Sequence, residues 1–133
     1  MSSARRRVLI VEEEPAIRNI LYVLLAGMRC EGDTAYSGQQ ALAKIGREKY
    51  DAILLDLRSP NVSVDEVMSG IREIQPNLVG RVLVITGDVA DHDALELIER
   101  SALPHVSEKR LGAELLHRLR NVLGLVPSHQ NTL

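Results

Sequence analysis

The chain has 133 residues, which is enough for one compact domain. Its net charge of −2, with three Tyr, no Phe and no Trp, argues against a nucleic-acid surface, because such surfaces need basic patches or stacking aromatics. No apolar run approaches the roughly 20 residues that a membrane span needs, and one cysteine excludes an internal disulfide, so we expect a cytoplasmic protein.

The first half of the chain predicts two strands and two helices. Val8–Val11 is a continuous apolar run, which is typical of a parallel strand covered on both faces. A helix follows, and Pro15 suits its first turn because the missing N–H would be unpaired there. Its apolar residues recur at helical spacing: Ile17, Ile20, Leu21, Leu24, Leu25 and Met28. Cys30–Ala35 predicts a more polar strand, and residues 38–48 predict the second helix.

The third and fourth strands are again continuous apolar runs, Ala52–Leu57 and Val82–Thr86. Between them lies a helical pattern over residues 64–74. Ser63 and Glu66 have the spacing of a capping box at its start.

The last part of the chain predicts helix, strand and helix. Asp91 can cap the fourth helix, whose predicted inward residues are Ala94, Leu95 and Ile98. His105–Ser107 predicts a short polar strand. The fifth helix carries an apolar face formed by Leu111, Leu115, Leu119 and Val122.

Strands and helices therefore alternate five times. This alternation predicts a doubly wound α/β fold, a parallel sheet with helices on both faces. We expect one domain over residues 7–124, with tails at residues 1–6 and 125–133.

Polar residues stand at the ends of four predicted strands. The first strand ends in Glu12–Glu14, the third at Asp56, the fourth at Thr86 and Gly87, and the fifth runs into Ser107–Lys109. Ligand sites of open α/β sheets form at the carboxyl ends of the strands. We therefore expect these residues to converge on one small surface.

Asp56 is the strongest of these signals. It follows four apolar residues in a buried strand, where an ionised carboxylate is costly unless it is paired, bound to metal or facing solvent. A helix dipole alone could explain Glu14, but three acidic residues after a buried strand exceed what a cap requires. Clustered carboxylates repel one another unless a cation lies among them, and Mg²⁺ prefers such oxygen ligands.

These residues resemble those of the response regulator receiver domains of two-component signalling. Residues 8–15 resemble the opening of such a domain, in which an acidic pair precedes Glu-Pro. Residues 50–60 are similar to its phosphoacceptor strand and the following loop, and residues 81–87 to the strand that carries a conserved hydroxyl. The resemblance implies a flavodoxin-like five-stranded sheet in the order 2-1-3-4-5.

By this resemblance, Asp56 would accept a phosphoryl group from a histidine kinase or a phosphotransfer protein. The chain would then be a regulatory phosphoacceptor that switches conformation, and not an enzyme in the usual sense. The resemblance implies Mg²⁺ bound by Glu13, by Asp56 and by the backbone carbonyl of Arg58, with Glu12 acting through water.

The resemblance also implies a switch and partners. Thr86 would hydrogen-bond the phosphoryl group, His105 stands where the coupled aromatic residue is expected, and Gly87 and Lys109 are candidate phosphate contacts. A downstream output protein is implied. So is a homodimer through helix four, strand five and helix five, a face that would include Asp93, Glu96, Arg100, Arg118 and Arg120.

The sequence departs from the family pattern at two places. Glu12 and Glu13 replace an aspartate pair, so each carboxylate lies one methylene further out. Glu108 falls where the family has a lysine, and it would repel a phosphoryl group, unless a one-residue slip brings Lys109 to the site. Two alternatives stay open: a receiver that is phosphorylated, slowly, on Asp56, and a degenerate receiver that acts as a phosphorylation-independent interaction module.

Two other α/β classes fit less well. A phosphatase of the haloacid-dehalogenase type needs a second aspartate two positions after its nucleophile, where this chain has Arg58. A flavodoxin binds the FMN phosphate at the loop after the first strand, which is acidic here.

Overall fold

Five parallel strands form one sheet in the order β2-β1-β3-β4-β5, which confirms the predicted topology. The computed structural model describes residues 5–87 and 92–124, without the side chains of residues 92–94. The strands are β1 (Arg6–Val11), β2 (Cys30–Ala35), β3 (Ala52–Asp56), β4 (Val82–Thr86) and β5 (His105–Ser107). The helices are α1 (Pro15–Gly27), α2 (Gly38–Ile45), α3 (Val64–Ile74), α4 (His92–Ser101) and α5 (Leu111–Val122).

The element bounds differ from the predicted ones mainly at the termini. β1 begins at Arg6 because this residue pairs in register with Cys30 of β2, so Arg6 belongs to the sheet and not to a tail. α2 ends at Ile45, ahead of Gly46. The proposed cap Asp91 and the tail residues 1–4 and 125–133 lie outside the described residues.

The sheet separates two apolar layers, which explains the continuous apolar runs of the central strands. Side chains alternate between the faces of a strand. One layer packs β-strand residues against α1 and α5, and these residues are Val8, Ile10, Leu54, Leu83, Ile85 and Val106. The opposite layer packs against α2 and α3, and its strand residues are Leu9, Val11, Ile53, Leu55, Val82 and Val84.

Two predicted core positions are wrong. Ile20 is 46% exposed, because α1 packs on the sheet through the line Ile17, Leu21 and Leu25, and Ile20 lies to one side of it. Leu95 is 39% exposed, and Leu97 packs against the core in its place. Residues two apart point to different sides of a helix, so α4 is rotated relative to the predicted orientation.

The helix starts follow the predicted local chemistry. Pro15 lies in the first turn of α1. The Ser63 hydroxyl accepts a hydrogen bond from the backbone N–H of Glu66 at 3.2 Å, which caps α3. Within the two described segments, no helix has both the length and the apolar character that a membrane crossing demands.

We expect Leu54→Ala to lower the free energy of unfolding by about 2–5 kcal/mol, because it opens a cavity beneath the central strand. Leu54 is fully buried in β3. Val23→Ala is the matched control: Val23 is 72% exposed on α1, so its removal should change stability by less than about 0.5 kcal/mol. Urea unfolding of both variants measures the difference, and equal losses would contradict this core assignment.

Candidate functional site

The candidate site is a cleft at the carboxyl ends of β1 and β3. These strands are neighbours, with β2 on the far side of β1 and β4 and β5 beyond β3, so the direction of the connections reverses between β1 and β3. Ligands bind at such a point in open α/β sheets. The cleft has a volume of about 280 Å³ and is lined by Glu12, Glu13, Glu14, Asp56, Arg58, Ser59 and Pro60. The structure therefore brings together the acidic residues that the strand ends predicted.

Asp56 is the last residue of β3, and its side chain is 1% exposed. Arg58 surrounds this carboxylate: its backbone N–H donates to Oδ1 at 2.8 Å, Nε lies 3.3 Å from Oδ1, and Nη2 lies 3.0 Å from Oδ2. Burial opposes ionisation of Asp56, but hydrogen bonds from Glu12 and Arg58 outweigh it and lower the pKa of Asp56 below its ordinary value. Asp56 is thus held as an anion at neutral pH.

Glu12 is the second buried carboxyl group of the cleft, also 1% exposed. Its Oε2 accepts a hydrogen bond from the backbone N–H of Glu14 at 3.0 Å. Its Oε1 is buried and, as an acceptor, finds no donor among the described residues. Burial, followed by the neighbouring Asp56 carboxylate, raises the pKa of Glu12 to about 8. Without a cation, Glu12 therefore holds a proton at neutral pH.

The residues of the cleft fit Mg²⁺ in kind, but they are not arranged as a finished metal site. Glu12 and Asp56 are two buried carboxyl groups side by side, and Oε1 of Glu12 has no donor among the described residues, so a cation that takes oxygen ligands would fit between them once Glu12 has lost its proton. Glu13 is half-buried, and its Oε2 is held by the Asn61 side-chain amide at 2.9 Å. In the part of the chain that is described, no three His, Cys, Asp or Glu side chains converge in a metal-binding arrangement. Metal binding would have to move Arg58 or Asn61.

Arg58 also contacts the end of β5. Its Nη1 forms an ion pair with Glu108, the residue expected to repel a phosphoryl group. A Cβ atom on Gly87 would lie 2.6 Å from Cδ of Arg58, so the side chain lies directly on the bare Gly87 backbone. The sequence assigned Arg58 only a backbone role; the signal for this contact was the unexplained acidic residue at position 108, which needs a cation.

The remaining predicted residues lie at the ends of β4 and β5 and are not among those that line the cleft. Thr86 is 4% exposed at the end of β4 and stands in register with Ser107 of β5. His105 is exposed and stands in register with Val84. Lys109 is exposed in a short 3₁₀ helix, Glu108–Arg110, and is not among the residues that line the cleft.

Comparison with known proteins gives one consistent family. The family model described as the response regulator receiver domain matches residues 8–120. The chain is 36% identical over 104 residues to a response regulator receiver protein of Anaeromyxobacter sp. (strain Fw109-5), covering 78% of this chain and 42% of the relative. It is 30% identical over 121 residues to the response regulator ArlR of Staphylococcus aureus, covering 91% of this chain and 54% of the relative. The chain thus spans about half or less of the length of these curated relatives.

A solved structure has the same fold. The receiver domain of sensor histidine kinase PA1611 from Pseudomonas aeruginosa PAO1, crystallised with a magnesium ion coordinated in its active-site cleft, superposes with a TM-score of 0.74. The two sequences are 24% identical, and the superposition covers 91% of this chain and 99% of that one. At this identity the likeness concerns the fold alone.

We expect the free energy of unfolding, measured without divalent cations, to fall as the pH rises from about 4.5 to about 8 and to level off above that. The pKa of Glu12 is raised from 4.5 to about 8 in the folded protein, so the folded state keeps a proton that the unfolded chain loses. This stabilisation is complete below pH 4.5 and is lost as the pH passes the folded value. Asp56, with a lowered pKa, acts in the opposite sense only under acidic conditions.

Urea unfolding in EDTA between about pH 5.5 and 9 should show a loss on the order of 1–3 kcal/mol. Glu12→Gln should flatten this dependence, and the adjacent Glu13→Gln should preserve it. The same slope in wild type and Glu12→Gln would show that Glu12 is not the group responsible.

Proposed function

The chain belongs to the response regulator receiver domain family, and we propose that it accepts a phosphoryl group on Asp56 from a histidine kinase or a phosphotransfer protein and signals by conformational switching. The observation that carries the proposal is the buried Asp56 carboxylate, kept ionised at the end of β3 in an open cleft. A phosphoacceptor needs an ionised carboxylate at a cleft that a phosphodonor can enter, and Asp56 is ionised and is one of the residues that line this cleft.

In the proposed reaction, one Asp56 oxygen attacks the phosphorus atom of a phosphohistidine. The O–P bond forms while the P–N bond breaks, and the leaving imidazole takes up a proton from solvent. Such transfers depend on in-line positioning and on neutralisation of charge more than on proton chemistry. The lowered pKa of Asp56 keeps the attacking oxygen deprotonated.

The proposed metal ligands are Glu13, Asp56 and the backbone carbonyl of Arg58, with Glu12 acting through water. A bound Mg²⁺ supplies charge neutralisation and orientation for the transferred group. The orphaned oxygen of Glu12 supports this assignment.

Thr86 is the proposed switch residue. Its hydroxyl is buried at the end of β4, next to β3, where it can donate to a new phosphoryl oxygen and draw the following loop inward. His105 is proposed as the coupled position on β5. The added charge of about −1.5 to −2 would bias this two-state element.

A second function is favoured by a specific observation. Arg58 already neutralises Asp56 in the unmodified protein through both carboxylate oxygens. This state supports the alternative of a degenerate receiver that binds its partner without phosphorylation. Labelling of Asp56 distinguishes the two functions.

The proposed partners are the phosphodonor, a downstream output protein and a second copy of the chain. The exchange with a histidine kinase implies a cytoplasmic location. On the proposed homodimer face, Arg100 pairs with Asp65 at 3.4 Å and Arg118 with Glu114 at 3.7 Å, both within one chain. These pairs would exchange partners on dimerisation. Glu96 and Arg120 are exposed, and the side chain of Asp93 lies outside the described residues.

We expect a small-molecule phosphodonor with Mg²⁺ to add the mass of one phosphoryl group to the wild type. Asp56→Asn should abolish this addition because the amide cannot form the acyl phosphate. Asp65→Asn is the control, since Asp65 is 73% exposed on α3 and lies away from the cleft lining. Intact-mass measurement decides the outcome, and labelling that persists in Asp56→Asn would contradict the assignment.

We expect Mg²⁺ to move the NMR resonances of residues 12–14 and 56–59, where the acidic strand ends meet. Glu13→Gln should weaken this binding roughly tenfold, because a ligand is lost. Glu114→Gln, on α5, should leave the affinity unchanged. Resonance shifts confined to other parts of the chain would contradict the proposed site.

A further inference from the structure

We propose that Arg58 supplies the phosphoryl-binding cation of this site, and that Glu108 is the positioning residue that aims it. The inference rests on the proposed function, because it concerns the group transferred to Asp56. It reverses the role expected for Glu108: an acidic residue in the lysine position would serve the reaction through a partner and not oppose it.

All three guanidinium nitrogens of Arg58 face acidic groups. Nε and Nη2 lie 3.3 and 3.0 Å from the two oxygens of Asp56, and Nη1 is paired with Glu108. The planar fork of arginine matches carboxylate and phosphate geometry. Its Asp56-facing edge is therefore already directed at the reacting carboxylate.

Gly87 provides the surface on which the Arg58 side chain lies. A Cβ atom at this position would come within 2.6 Å of Cδ and 3.0 Å of Cγ of Arg58. The side chain is thus placed by three strand ends: it starts after β3, crosses Gly87 after β4, and pairs with Glu108 after β5. An arginine that was merely covering Asp56 would not need the second and third of these contacts.

Charge balance explains why Glu108 does not defeat the reaction. Beside Asp56, the positive charge of Arg58 and the negative charge of Glu108 compensate each other. When the O–P bond forms, the Asp56 carboxylate loses its own negative charge to the acyl linkage, while the phosphoryl oxygens carry about −2. The Nε and Nη2 donors are then released from the carboxylate within reach of the new oxygens, and the Glu108 contact keeps the guanidinium from moving into solvent.

The Arg58 side chain is 33% exposed, so the incoming group can reach it from the cleft. Lys109, the other candidate for this charge, is exposed and outside the cleft lining. The described geometry thus favours Arg58 over a slipped Lys109.

Moving the positive charge from position 58 to position 108 by substitution tests the inference. Initial labelling rates with acetyl phosphate and Mg²⁺, and the affinity for beryllofluoride, are measured for wild type, Arg58→Ala, Glu108→Lys and the double variant Arg58→Ala/Glu108→Lys. We expect Arg58→Ala to label at least about tenfold more slowly, because charge-assisted hydrogen bonds to the phosphoryl group are lost. The double variant should recover much of this loss, because a lysine at position 108 restores a cation. The labelling rate of Glu108→Lys alone should rise by less than the double variant recovers, because the new lysine lies beside the positive charge of Arg58.

Gly87→Ala is a second route to the same answer, because it displaces the Arg58 side chain while keeping its charge. It should slow labelling of the wild type by a larger factor than labelling of the double variant, in which position 58 is already alanine. Arg110→Ala is the matched control: it removes an exposed arginine that pairs with Glu114, and it should leave the rate unchanged. Thermal unfolding of each variant shows that the labelled protein is folded.

The outcomes separate the two proposals. A wild type that labels on Asp56 while Arg58→Ala labels within about twofold of it overturns the role of Arg58 and leaves the proposed function standing. Loss of labelling in Lys109→Ala, with Arg58→Ala unaffected, does the same in favour of the slipped lysine. A wild type that neither labels nor binds beryllofluoride overturns both proposals, and recovery in the double variant supports both.

Discussion

The buried negative charge of Asp56 is the constraint that determines how the rest of the site is arranged. An ionised carboxylate with 1% exposure is stable only if its surroundings compensate for the lost water. Two neighbouring residues do so: Arg58 supplies a positive charge and a hydrogen bond from its backbone N–H, and Glu12 takes up a proton. Neither of them would have this arrangement if Asp56 were apolar or lay at the surface.

The sheet makes this concentration of charge possible. β1, β3 and β4 are buried between two apolar layers, so their backbones are rigid and their ends are fixed relative to one another. A site built from the ends of rigid strands keeps its polar groups at set distances. The same burial keeps water away from the strand ends at the base of the site, which strengthens the electrostatic contacts there.

The sequence was sufficient for the architecture and for the convergence of the acidic residues at the ends of β1 and β3. Runs such as Val82–Thr86 have one reading, a strand covered on both faces, and the alternation with helical stripes then leaves few topologies. It was not sufficient for the rotation of α4, where Leu97 and not Leu95 packs inward. Both leucines satisfy a helical pattern, and only packing against the sheet selects between them.

The role of the Arg58 side chain was missed for a different reason. Positions 58 and 108 are fifty residues apart in the chain, and no periodicity or local motif connects them. Their opposite charges become informative only when the ends of β3 and β5 are placed on one surface. Taken alone, Glu108 predicts repulsion of the phosphoryl group. The sequence does not show that a third charge, that of Arg58, lies between them.

The Arg58–Glu108 pair also limits how this domain can be recombined with its relatives. Arg58 precedes Val82–Thr86 in the chain and Glu108 follows it, so a chimaera joined within that strand would inherit only one of the two residues. A hybrid with this chain's first half and a lysine at position 108 would set two cations against each other. The reciprocal hybrid, bearing Glu108 without Arg58, would leave two carboxylates facing one another without a counter-charge. The fold can therefore be exchanged in parts, but Arg58 and Glu108 must be transferred together.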